Sequence, residues 1–99
     1  MMTVTINRDE MSLTAEGHCN AGPFGRALVC AGASVLIDTY YVSLQSRGLL
    51  HEESWLDKGG AYIKAEAEAP AGAYLDFCIT GLSLLGEAYP DNIKVCLVG

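Results

Sequence analysis

The sequence predicts an α+β fold: a single antiparallel or mixed sheet of about four to five strands with two helices packed on one face. Three observations predict it. Short segments of alternating apolar and polar residues open and close the chain, two long segments with apolar spacings of three and four lie between them, and glycine or proline separates the segments. Taken in order these read strand, strand, helix, strand, helix, strand, which buries its apolar surface most simply as one two-layer core. With 99 residues and no internal repeat or linker, residues 1–99 make one domain.

Met2 to Asn7 alternates Val4 and Ile6 with Thr3, Thr5 and Asn7, the period of a half-buried strand. Arg8, Asp9 and Glu10 form a polar turn. Ser12 to His18 returns as a second strand with Leu13 and Ala15 on one face, so the two read as a hairpin with His18 at its end. Between Asn20 and Arg26 stand Gly22, Pro23 and Gly25, which read as a loop.

From Ala27 the apolar residues Val29, Ala33, Leu36, Ile37, Tyr40 and Leu44 keep helical spacing, and Arg47 followed by Gly48 is a stop signal. The first turns are apolar nearly all round, as expected of a buried central helix. Leu49 to Lys58 is irregular or weakly extended. Gly59 and Gly60 make a turn before a strand in Ala61 to Ala67, while Glu66 to Glu68 reads equally well as helical. Pro70 suits the first position of a second helix. Its stripe is Tyr74, Leu75, Cys78, Ile79, Leu82 and Leu85, and Tyr89-Pro90 ends it. Ile93, Val95 and Leu97 alternate in a closing strand.

Composition bounds the function. Twelve acidic residues against six basic ones give a net charge of −6, which works against phosphate contacts and suits a basic partner; no nucleic acid is expected. The longest apolar stretch, Ala27 to Ile37, is interrupted by Ser34 and closed by Asp38, far short of a membrane span. The first ten residues lack the basic start and apolar run of a signal peptide, so a cytoplasmic protein is expected. In that reducing compartment Cys19, Cys30, Cys78 and Cys96 are expected as free thiols.

The stretch from Gly17 to Ser34 carries the chemistry. It joins Gly17-His18-Cys19, a Gly-rich loop and Val29-Cys30-Ala31-Gly32-Ala33-Ser34. This arrangement resembles the ribosomal-processing cysteine proteases of the Prp family, which carry a Gly-His-Ala element, a short Gly-rich loop and a Val-Cys-Ala-x-x-Ser helix start. The segment Tyr89 to Val95 also resembles the family's closing segment, so the likeness covers nearly the whole chain. The resemblance implies a homodimeric endopeptidase that removes an N-terminal extension from a large-subunit ribosomal protein by cutting after an aromatic residue. It implies His18 as general base and Cys30 as nucleophile, with a mobile loop between them and no cofactor.

Elementary chemistry asks for the same assistance. A thiol with its ordinary pKa of about 8.5 is only a few per cent thiolate at neutral pH, and a nearby imidazole corrects that. Cys30 is expected in the first helical turn, where unpaired N–H groups favour an anion. The N–H groups of Cys30 and Ala31 are then the candidate oxyanion donors, with Gly22 and Gly25 as loop candidates and Ser34 either back-bonding to its helix or positioning the site.

Two positions depart from the family pattern. Ala27 stands where relatives often carry an acidic residue, so a dyad is expected in place of a triad. Cys19 replaces the usual alanine; it reads first as a passive substitution, with a competing nucleophile or a regulatory disulfide to Cys30 as the other readings. Cys78, Cys96 and His51 read as packing or solvated residues, and Trp55, Tyr62 and Tyr74 as core or as the lining of an aromatic groove. His18, Cys19 and Cys30 lack the paired spacing of a zinc site, and no metal is expected. A non-catalytic binding module of the same fold and a phage-type relative that processes capsid or scaffold protein are the alternative functions.

Overall fold

A computed structural model describes residues 1–17, 24–57, 60–66 and 69–98, with backbone alone at 24–28 and 69. The hairpin strands are β1 (Met2–Asn7) and β2 (Ser12–Glu16). Asn7 makes the turn between them, its Oδ1 accepting hydrogen bonds from the N–H groups of Asp9 (3.0 Å) and Glu10 (3.2 Å). Next come α1 (Phe24–Ser46), β3 (Trp55–Asp57), β4 (Gly60–Lys64), α2 (Ala69–Ala88) and β5 (Ile93–Val98).

The strands form one sheet in the order β3-β4-β2-β1-β5. The β1–β5 pair is parallel and the others are antiparallel, so the sheet is mixed. Val4, Ile6, Leu13, Ala15, Ala61, Ile63 and Ile93 point to one face and join a single buried cluster with Val29, Ala33, Ile37, Tyr40 and Leu44 of α1 and Leu75, Ile79 and Leu82 of α2. Both helices therefore cover the same face, as the sequence predicts. Period-two alternation leaves Thr3, Thr5, Thr14 and Tyr62 on the other face, half-buried among themselves.

α1 ends at the expected place. Gly48 adopts φ +69°, its N–H donates to the Gln45 carbonyl (3.2 Å), and the Leu49 N–H donates to Leu44 O (2.9 Å). That left-handed cap satisfies carbonyls the helix leaves open, with buried Leu44 and Leu49 closing over it. The two helices approach closely because each offers a glycine to the other's leucine. A Cβ at Gly81 would lie 2.8 Å from a Leu36 methyl, and one at Gly32 would lie 3.4 Å from Leu85.

Several boundaries differ from the sequence reading: β2 ends at Glu16 and not His18, β4 runs Gly60–Lys64 in place of Ala61 to Ala67, and two differences matter more. Residues 55–57, read as irregular or weakly extended, form the edge strand β3. All three are exposed, so they carry no burial pattern, and pairing with β4 holds them. Ser54 extends that pairing, its hydroxyl accepting from the Lys64 N–H (2.9 Å) and donating to Lys64 O (3.2 Å). α1 begins at Phe24, three residues before the expected start.

Candidate active site

The early start of α1 moves Cys30 from the first turn to the end of the second. Unpaired N–H groups belong to the first four residues of a helix, so those of Cys30 and Ala31 lie where carbonyls one turn earlier accept them. The dipole argument for Cys30 loses most of its force, since the effect fades beyond the first turn. Gly25 lies inside α1, not in a loop. Cys30 is half-buried, while Ala31 and Ser34 are exposed along the same stretch.

Cys30 is disulfide-bonded. Cys78 and Cys96 are free thiols, so the partner of Cys30 is outside the described residues. His18, Cys19 and Gly22 also lie outside them. The chain reaches position 18 through Gly17, whose φ of +88° is left-handed. A Cβ there would come within 2.5 Å of the Met1 carbonyl oxygen, so both the backbone and the neighbour require glycine.

A hollow of about 60 Å³ opens between α1 and the sheet, and Gly17 and Ser34 both line it. It exists because the facing residues are small. Ala15 and Ala61 are opposite each other on β2 and β4, and Gly60 adjoins Ala61 along β4. A Cβ on Gly60 would lie 2.8 Å from Ala15 O and 3.4 Å from the Trp55 ring, so that position too stays bare. Asp38 and Asp57, both exposed, contribute the charged part of the lining. A wider depression of about 380 Å³ lies elsewhere, between α2 and β5, lined by Met1, Gly86, Glu87 and Lys94 among others.

The remaining candidates are spread through the fold. Cys78 is buried under α1, its thiol donating to Leu36 O at 3.7 Å, and burial pushes its pKa up to about 12. Burial likewise pushes the neighbouring Tyr40 phenol well above its ordinary value, with Cys78 adding to the effect. Neither suits proton transfer at neutral pH. His51 accepts the Glu53 N–H at Nδ1 (3.1 Å) in a local turn. Trp55 and Tyr62 are opposite each other on the face without helices, whereas the Tyr74 ring on α2 lies 5.2 Å from the Arg47 guanidinium carbon, so the three line no common groove. Sequence reasoning missed the hollow, since its alanines are adjacent only through strand register.

The model of the family described as "Cysteine protease Prp" matches residues 1–94. This chain belongs to that family of cysteine proteases. Among solved structures, the ribosomal processing protease Prp from S. aureus with a covalently linked product peptide is 23% identical, with a TM-score of 0.82 over 99% of this chain and 100% of that one. The same protease with a substrate peptide is 22% identical, with a TM-score of 0.83 over the same shares. SMU.848 from Streptococcus mutans is 18% identical with a TM-score of 0.75, covering 98% of this chain and 91% of its own. At these identities the likeness to the solved structures is one of fold. No curated protein matches.

Proposed function

We propose that this Prp-family chain is an endopeptidase that removes the N-terminal extension of a large-subunit ribosomal protein, with Cys30 as nucleophile and His18 as general base. One observation carries the proposal: Gly17, which precedes His18, and Ser34, one turn beyond Cys30, border the same hollow. That shared border supports pairing His18 with Cys30. His18 takes the Cys30 proton, and the thiolate attacks the scissile carbonyl carbon. The resulting imidazolium protonates the leaving amine, and water, deprotonated by the same imidazole, then releases the acyl product from Cys30.

Only the reduced form can do this, because a disulfide-bonded Cys30 has no thiol for His18 to deprotonate and so yields no thiolate. The net charge of −6 suits a basic ribosomal precursor and would raise its rate of encounter. The working unit is a cytoplasmic homodimer.

The deciding experiment incubates the chain, with a thiol reductant, with an extended ribosomal-protein precursor. Cleavage at a single bond is expected, falling by roughly 10⁴-fold or more in Cys30→Ala and His18→Ala. Cleavage that survives in Cys30→Ala moves the nucleophile elsewhere; an intact precursor with the reduced wild type rejects the ribosomal substrate. Sedimentation at micromolar concentration reads the dimer.

A further inference from the structure

The hollow beside the two motif arms has a size and chemistry that the proposed reaction does not use. Its floor is apolar and buried, with Ala15, Ala61 and Ile37 between 2% and 5% exposed, while Ser34, Asp38 and Asp57 are exposed and ring its mouth. A single water needs roughly 10–15 Å³ of such volume, so about 60 Å³ holds four to six waters or one slender unbranched side chain. An aromatic ring or a guanidinium is too broad for it. A chain of methylenes fits the floor, and a cation at its tip fits the mouth.

The Asp38 carboxylate at the mouth is open to a ligand. Asp38 has no ion pair or hydrogen bond among the described residues. Its place is fixed relative to the chemistry. Ser34 is one helical turn, about 5.4 Å, beyond Cys30, and Asp38 one turn further. An extended peptide advances roughly 3.3 Å per residue, so a side chain entering here belongs to a residue within about three positions of the cut bond.

We propose that this hollow is a substrate subsite for lysine and that Asp38 is the residue selecting it. The proposal rests on the endopeptidase reading and adds a substrate class to it. The methylenes of the lysine lie along Ala15, Ala61 and Ile37, and its ammonium meets the Asp38 carboxylate and the Ser34 hydroxyl at the mouth. The net charge of −6 favours the same class of ligand.

The test walks a single lysine through three positions on each side of the cut in a peptide substrate. Each peptide is compared with ones carrying norleucine or arginine at that position. At one position lysine is expected to exceed both by roughly 5–10-fold in kcat/KM, the scale of a contact at a solvated mouth. In Asp38→Asn the lysine-to-norleucine ratio falls to about one, and Asp38→Lys prefers a glutamate peptide. A ratio near one at every position in the wild type, or a preference that survives Asp38→Asn, overturns the subsite. If none of the peptides is cut, the endopeptidase reading has failed on its own account. Anisotropy of the same peptides, fluorescein-labelled, on Cys30→Ala then decides the subsite: tighter binding of lysine supports it, and equal binding overturns it.

Discussion

Two neighbouring rungs of the sheet face the same helices and end differently. Ile6, Leu13 and Ile63 lie side by side across β1, β2 and β4, each fully buried, and fill the space beneath α1. One step along, Val4, Ala15 and Ala61 occupy the equivalent places, and the missing side-chain volume becomes the hollow. Backbone and pairing are the same in both rungs. The difference shows that the location of the hollow is set by side-chain volume on one rung, next to a rung that is filled.

The filled rung should be the costlier to break. Leu13→Ala or Ile63→Ala removes a fully buried side chain from close packing, with an expected loss of about 2–5 kcal/mol in urea unfolding. A loss below about 1 kcal/mol would mean that this end is loosely packed as well. Gly60→Ala attacks the border between the rungs, where the new methyl meets the Ala15 carbonyl and the Trp55 ring. About 1–3 kcal/mol should be lost, with a shift in tryptophan emission, and an unchanged spectrum would show that the ring is not held there.

The buried thiol supplies a pH test of the filled region. Burial raises the pKa of Cys78 from about 9 to about 12, so the fold favours its neutral form. Its contribution is complete below about pH 9 and is lost as pH rises towards 12, by roughly 1.4 kcal/mol for each pH unit in that window. Cys78→Ala should remove that part of the alkaline slope. In the folded protein at pH 8, iodoacetamide should leave Cys78 unmodified; its modification would contradict the burial. The smallest change in stability is expected at the hollow, where Ala15→Val adds methyls to open space and should alter unfolding by less than about 1 kcal/mol. The lysine preference should disappear with it.

The larger features could be read from the chain because their signals are local. Alternation in Met2–Asn7, the three-and-four spacing from Val29 to Leu44, and the Arg47-Gly48 stop each reflect contacts made within one element. The start of α1 was misread because Gly25, just beyond Pro23, carries the signature of a loop, although a glycine in a first helical turn is readily tolerated. β3 has no pattern of its own to read. The family resemblance points to His18 and Cys30 as the proposed pair, whereas the hollow depends on Ala15 and Ala61, 46 positions apart, being brought opposite each other by strand register. Asp38 looked like the end of an apolar run until the fold brought it to the mouth.

Trp55 is the only tryptophan in the chain, and its half-exposed ring lies against Gly60, which lines the hollow. Intrinsic indole emission therefore comes from a single place in the molecule, on the sheet face that the helices leave open. The protein carries its own optical gauge of the β3–β4 edge, read on the unlabelled chain without a second indole to mask it.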